Sequence, residues 1–208
     1  MNSPSSEVLS LLEYRLRAVV IGQLALRYSM VWDVAPSIKI FFDEKQVIEG
    51  KATAFTNGAI EAAIIHCRAI LEFLGLGGKN QTELVERPSR IKSDIGVEDF
   101  PGLSKLTVEL AVLPYLGPEA DAQASLAYVV YLANKGLAHT TSSFTKHDRE
   151  SELLEIAFRG VPTLLINNFY VPLSIAPPNY ELQGRERAPN PSIEWTRTDT
   201  ALQASKTV

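Results

Sequence analysis

The chain has 208 residues, a formal net charge of −4, and 46% hydrophobic against 21% charged residues. These values describe an ordinary globular protein of one domain, with or without a tail, and the acidic balance excludes the overall basic footprint of non-specific nucleic-acid binders. The single cysteine, Cys67, excludes an intrachain disulfide and a cysteine-rich metal site.

The first residues lack a basic start, an apolar run and a small-residue cleavage site. No apolar stretch approaches the roughly 20 residues that a membrane span needs. We therefore expect a cytoplasmic protein with no membrane partner.

A first helix is predicted over residues 7–29, capped by Ser5 or Ser6. Its buried stripe is formed by apolar residues at three- and four-residue spacing, namely Leu9, Leu12, Leu16, Val20 and Leu24. Three arginines occupy the other sides of this helix, Arg15, Arg17 and Arg27. They indicate either a solvated face or an anion-binding surface.

Residues 30–51 are ambiguous. Their segment IKIFF suits a strand, whereas DEKQVIEGKA favours a helix. We predict a short helix from Ser37 to Glu49, because one isolated strand would have no partner.

The most apolar stretch is residues 57–75, NGAIEAAIIHCRAILEFLG. At 3.6 residues per turn it has two adjoining apolar faces and one polar strip, which carries Glu61, Arg68 and Glu72. A helix with so narrow a polar strip is typical of the centre of a bundle. His66 lies outside the strip and is expected to be mostly buried, and Gly75 is expected to end the helix.

Residues 79–102 form a charged, irregular segment, interpreted as a solvated loop or, alternatively, a lid or partner contact. A short helix follows within residues 103–113, then a longer one over residues 119–138 with Pro118 at its start. Thr145 and Asp148 fit a capping box for a last helix that reaches Tyr170. A kink or break is expected within that helix at residues 160–162.

The chain therefore predicts an all-α fold, a helical bundle of four to five main helices with a long irregular loop and an extended C-terminal tail. Residues 1–172 would form the bundle domain. Residues 173–208 would form a Pro-rich, partly disordered tail, in which Tyr180 and Trp195 are the large aromatic residues.

Hydrogen-bonding groups concentrate in YLANKGLAHTTSSF, where Asn134, Lys135 and His139 fall within about two turns. Imidazole can act as acid or base near neutral pH, so His139 is the candidate catalytic residue. Alternatively, these residues close the helix end and satisfy its last carbonyls. No metal site and no cofactor are expected, because His66 and Cys67 are adjacent on one helix and point about 100° apart.

The stretch IEAAIIHCRAILEFLG, followed after an irregular loop by a helix ending in NKGLAH, resembles a group of small bacterial helical proteins. More distantly it is similar to the HEPN superfamily of helical bundles found in toxin–antitoxin, abortive-infection and RNA-processing systems. The resemblance covers residues 55–165. It implies RNA or nucleotide binding, a ribonuclease activity in a defence context, and a composite site across a homodimer.

The HEPN ribonuclease pattern is an arginine followed four to six residues later by a histidine. His139 matches the histidine, but residues 132–134 are Leu, Ala and Asn. Arg68 could replace the missing arginine if the central helix packs against the end of the helix that carries His139. The predicted pocket then contains His139 as acid or base, Arg68 or Lys135 as anion clamp, and Asn134 and His66 as ligand-binding residues.

The competing interpretation is a non-catalytic bundle that dimerises or binds a protein. In that case Arg68, Glu72 and His139 would form a structural polar network that fixes the helix register.

Overall fold

The computed structural model describes residues 3–137, 147–180 and 193–198. Within these ranges four long helices pack together, and one short helix lies between the second and third of them. The long helices are α1 (Ser6–Ser29), α2 (Thr53–Leu74), α4 (Glu119–Tyr131) and α5 (Glu150–Leu165), and the short one is α3 (Val108–Val112). The prediction of a helical bundle is thus confirmed in its main part.

The first helix begins as its sequence predicts, because the Ser5 hydroxyl accepts a hydrogen bond from the Val8 amide at 3.4 Å. Its stripe is buried at Leu12 and Leu16 and only partly buried at the other three positions. Arg27 was expected on another side but is 7% exposed. The buried face of α1 is wider than the predicted stripe and includes Arg27, because the helix packs against both α2 and α5.

Helix α1 packs closely against α2 at a glycine, Gly22. A Cβ atom added to Gly22 would overlap the Cβ of Ala63 and lie 2.8 Å from the Ala59 carbonyl oxygen. The absence of that side chain lets the two backbones approach closely. Helix α2 also contacts α4 and α5, as expected for the central member of the bundle.

Residues 37–51 are strands, and the prediction of a helix there is wrong. Strand β1 (Ser37–Phe42) pairs antiparallel with β2 (Lys45–Lys51) through a two-residue turn in which Asp43 has a φ of 52°. The helix was predicted because a single strand would have no partner, but the next segment of the chain, β2, is the partner of β1. The hairpin leaves Phe41 and Phe42 exposed at 52% and 67%.

A second small sheet follows α2 directly. Gly75 ends the helix in the left-handed conformation with a φ of 95°, as predicted, and strand β3 (Leu76–Gly78) pairs antiparallel with β4 (Leu84–Glu86). Gly78 fits closely against α4, since an added Cβ would lie 3.1 Å from the Ala127 carbonyl oxygen. The fold is therefore mostly helical but not purely all-α.

The segment of residues 79–102 is attached to the bundle rather than being a simple solvated loop. Leu84, Val97 and Phe100 are buried. The Phe100 ring packs against Phe73 of α2 and Phe169, with ring centres 6.1 and 5.1 Å apart. Burial of these three side chains fixes the polar residues between them against the end of α2.

The later helices end in wider turns. Helix α4 continues into a π-helical turn (Leu132–Leu137), and α5 runs through Gly160 and Pro162 without ending before a second π-helical turn (Ile166–Tyr170). The predicted cap at Thr145 lies outside the described residues.

Part of the predicted C-terminal tail packs on the bundle. Tyr180 is 7% exposed, and residues 193–198 contact α5 and the segment before α4. The other residues after Tyr180 lie outside the described ranges.

Within the described part of the chain, no helix combines the length and apolar character that a membrane span requires. The same residues contain no cluster of three histidine, cysteine or acidic side chains placed to hold a metal ion.

Candidate functional site: an arginine-lined pocket

The carboxyl end of α2 is held by an arginine from the following loop. Arg90 donates hydrogen bonds from its guanidinium to the carbonyl oxygens of Glu72 and Phe73, the latter at 2.8 Å. It also donates to both carboxylate oxygens of Glu98, at 2.9 and 3.1 Å, and its side chain is only 11% exposed. The last carbonyls of a helix have no partner within the helix, and a cation there opposes the negative end of the helix dipole. Arg90 therefore fixes the loop to α2.

A second ion-pair cluster centres on the side chain of Glu72. Its Oε1 atom accepts from Arg68 Nε at 3.0 Å, as their four-residue spacing predicts, and lies 2.5 Å from Arg87 Nη1. One carboxylate thus serves two guanidinium groups. The cluster carries a net positive charge on a protein whose overall charge is negative.

A cavity of about 400 Å³ opens beside this cluster, between α1, α2 and the loop. Its lining combines charged or polar residues with apolar ones. Its polar lining is Arg15, Glu72, Arg87, Arg90, Ser93 and Asp94, and its apolar lining is Val8, Leu11, Leu12, Ala69, Phe73 and Ile95. Three cations face two carboxylates, so the pocket has a surplus of positive charge.

Arg15 supplies that surplus. Its side chain is half-buried, and none of the ion pairs within the described residues includes it. Burial lowers the pKa of Arg15, an effect that the charge of Glu72 opposes only in part. Removing a charge from water without a close partner is unfavourable. An anion bound in the pocket would provide the missing partner.

The loop that carries the other two arginines is fixed in place by further polar contacts. Lys105 donates to the carbonyl oxygens of Arg87 and Pro88 at 3.1 and 3.3 Å, and its Nζ lies 3.5 Å from Glu98. Burial acts to raise the pKa of Glu98, but the hydrogen bond and charge of Arg90, a backbone hydrogen bond and the charge of Lys105 together lower it below its ordinary value. The protein's own contacts therefore hold both loop arginines in position.

His66 lies one to two turns before Glu72 on α2 but is not among the residues that line the pocket. It is half-buried rather than mostly buried, and its ring packs edge-on against Tyr14 with centres 5.1 Å apart. Burial, and secondly the charge of Arg15, lower the pKa of His66 below its ordinary value. The side chain is thus mostly neutral at pH 7.

Asn134 and Lys135 lie in the π-helical turn after α4, where Asn134 is half-buried and Lys135 is exposed. In the part of the chain that the structure describes, neither is hydrogen-bonded or ion-paired to Arg68, whose partner is Glu72. His139 lies outside the described residues, so its predicted meeting with Arg68 stays a prediction.

Two residues of the pocket, Arg87 and Arg90, were missed by sequence reasoning because their loop was interpreted as solvated. The signal was that both arginines lie between apolar residues that bury the segment, Leu84 before them and Val97 and Phe100 after them. Arg15, in contrast, was already among the residues of the alternative anion-binding surface.

Comparison of the chain with protein-family models, with curated proteins and with solved structures finds no match. The functional conclusion therefore depends on the geometry and charge of the arginine-lined pocket.

Proposed function

We propose that this is a HEPN-like helical protein that binds a phosphate-bearing ligand, RNA or a nucleotide, in the arginine-lined pocket. The observation that carries the proposal is the half-buried Arg15, which has no ion-pair partner among the described residues and faces a cavity that Arg87 and Arg90 also line. Guanidinium groups match phosphate oxygens with two parallel hydrogen bonds.

The size and lining of the pocket agree with a ligand of this class. A volume of about 400 Å³ falls in the range of small-molecule sites, which is roughly 300–1,000 Å³. Leu11, Leu12 and Phe73 line the same cavity as the three arginines, so a base or sugar could pack on them while its phosphate meets the arginines. A nucleotide, or one nucleotide unit of a flexible RNA, has this combination of parts.

Binding is tested with a fluorescent nucleotide or short RNA and three single variants, Arg15→Met, Arg87→Met and Arg17→Met. The first two should weaken binding at least tenfold and reduce its dependence on salt concentration. Arg17 is the matched control, because it lies on the same helix but pairs with Glu13 outside the pocket. Equal affinity for all three variants would remove the proposal.

A separate proposal, which uses residues outside the described lining of this pocket, is a divergent ribonuclease. In it His139 acts as acid or base, Arg68 or Lys135 clamps the anion, and Asn134 and His66 contact the ligand. Incubation of the purified protein and a His139→Ala variant with RNA tests this proposal separately. Cleavage by the wild type alone supports it, whereas background cleavage by both leaves binding without catalysis.

The second candidate is a protein-interaction or dimerisation module, and the β1–β2 hairpin favours it. A two-stranded hairpin is marginally stable alone, and this one exposes Phe41, Phe42, Val47 and Ile48. In the same interpretation the Arg68–Glu72–Arg87 cluster is a structural network. Light scattering over a range of concentrations should then show a homodimer that Phe42→Asp dissociates. A monomer at every concentration would exclude the dimer.

A further inference from the structure

Residues 193–198 lie across the bundle as an extended segment that pairs with residues 114–116. The Leu116 amide donates to the Glu194 carbonyl at 3.0 Å, and the Thr196 amide donates to the Pro114 carbonyl at 2.8 Å. Between these bonds, Tyr115 and Trp195 stand opposite each other as an antiparallel bridge. This is the geometry by which an extended peptide adds to a strand edge.

The side chains of the segment alternate as in a strand with one face on a surface. Every second one is half-buried, Ile193, Trp195 and Arg197, and the intervening ones are exposed, Glu194, Thr196 and Thr198. Main-chain bonds of this kind do not depend on sequence. Specificity comes from the sites that accept the alternate inward side chains.

The central site accepts an indole ring. A Cβ atom added to Gly160 of α5 would lie 2.5 Å from Cε2 and 2.7 Å from Cη2 of Trp195, so only glycine leaves room for the ring. The Tyr115 ring packs on the same indole with ring centres 5.1 Å apart. The two residues shape a site that is complementary to tryptophan.

The carboxyl end of the segment is bound by an amide side chain. Asn167 donates to the Thr196 carbonyl at 2.7 Å and accepts from the Thr198 amide at 2.9 Å, so it bonds both polar groups of an extended backbone. Next to it, Arg197 donates to the Tyr180 hydroxyl at 3.3 Å. Together these contacts select tryptophan and then arginine at alternate positions, and the half-buried Ile193 precedes the tryptophan by two residues.

When residues 193–198 pack on the bundle, one of their hydrogen-bond donors meets no acceptor in the ranges that the structure describes. The buried indole Nε1 of Trp195 has no hydrogen-bond partner among the described residues. A cavity of about 690 Å³ remains between the segment, α1 and α5. An unpaired buried donor reduces the free energy gained on docking.

From these contacts we propose that residues 114–116, Gly160 and Asn167 form a peptide-recognition groove, and that residues 193–198 are its built-in, displaceable occupant. The groove accepts extended segments in which an apolar residue, tryptophan and arginine alternate with other residues. The chain's own segment competes with any other peptide of this pattern, because attachment to the same chain gives it a high effective concentration.

The test uses a fluorescent peptide with the sequence of residues 193–198, IEWTRT, and the full chain as wild type, Trp195→Ala and Trp32→Ala. The peptide should bind the Trp195→Ala chain at least tenfold more tightly than the wild type, because the built-in competitor is weakened. Trp32→Ala is the control and should behave as the wild type. A peptide with alanine in place of tryptophan should not bind. Equal binding to Trp195→Ala and wild type, or no binding to either, would overturn the proposal.

Hydrogen exchange on the wild-type chain gives a second test that needs no substitution. The amides of Leu116 and Thr196 should exchange together and at least tenfold faster than amides of α5, and excess peptide should leave the Leu116 amide protected while the Thr196 amide exchanges faster. If both amides exchange only with global unfolding, the segment is a permanent part of the core and the groove has no exchangeable occupant.

Discussion

Replacing Arg15 by methionine should make the protein more stable and less able to bind anions. Methionine keeps the length and the apolar contacts of the side chain but removes a charge that is half-buried without an ion-pair partner among the described residues. Burial lowers the pKa of Arg15, because partial removal from water disfavours the charged form, and the charge of Glu72 opposes this effect. If the pocket binds an anion as proposed, this charge is the part of the site that costs stability when no anion is bound.

The size of the effect follows from the partial exposure of the side chain. Removal of an unfavourable charge stabilises a protein by about 0.5–2 kcal/mol, and solvent screening of a half-buried group places the expected gain in the lower half of that range. For a chain of this length, each kcal/mol shifts Tm by about 2–4 °C. We therefore expect Arg15→Met to raise Tm by about 1–5 °C in buffer without multivalent anions.

Thermal unfolding with and without inorganic phosphate provides the assay. At ten times its dissociation constant, phosphate should stabilise the wild type by about 1.4 kcal/mol, whereas the variant should gain little. Arg17→Met, which removes an exposed pair with Glu13, should change stability by less than about 0.5 kcal/mol and keep the phosphate response. A variant destabilised by more than 1 kcal/mol, or equal phosphate responses in all three proteins, would refute the reasoning.

Three further predictions follow from buried groups. In Gly22→Ala the new Cβ would overlap Ala63, which should lower the free energy of unfolding by about 1–3 kcal/mol, and the better helix propensity of alanine should offset about 1 kcal/mol of that loss. In Gly58→Ala the new Cβ meets nothing within 4 Å, so this variant should be stabilised. Urea unfolding compares the two variants. The pKa of His66 is lowered on folding, so the native state resists protonation and the stability of the protein should fall as pH drops below about 6.5. Urea titrations at pH 7.5 and 5.5 measure this loss, and His66→Gln should reduce it. A wild type as stable at pH 5.5 as at pH 7.5 would contradict the prediction. Burial raises the pKa of the Cys67 thiol well above its ordinary value, so a thiol reagent should label it only as fast as the chain opens; immediate labelling of native protein would show that the thiol is accessible.

The sequence was most informative where local signals and burial agree. In α2 the apolar faces, the strip with Arg68 and Glu72, and Gly75 at the end all indicate the same helix, and the structure has it over Thr53–Leu74. The Arg68–Glu72 pair was predictable because four residues in a helix bring two side chains together regardless of the rest of the fold.

Prediction failed where the local sequence favoured two structures or where the deciding contact joins residues that are distant in the chain. The β1–β2 hairpin was missed because helix-forming composition in residues 43–52 outweighed the strand signal of IKIFF, and its two-residue turn contains no glycine. Arg90 could not be placed from the sequence, since its partners include the end of α2, 17 and 18 residues earlier in the chain. The indole site at Gly160 joins residues 35 positions apart, and no local pattern in α5 indicates it.

The position of residues 193–198 also has a consequence for the order in which the fold can be completed during synthesis. The surfaces that receive this segment, residues 114–116 and α5 with Asn167, are made before it, so the bundle can assemble while the notch at Gly160 is still empty. Until Trp195 emerges, that notch and the Tyr115 ring remain open to water and to other chains. Synthesis in this order allows a stage in which the helices are packed and the notch at Gly160 is still without its tryptophan.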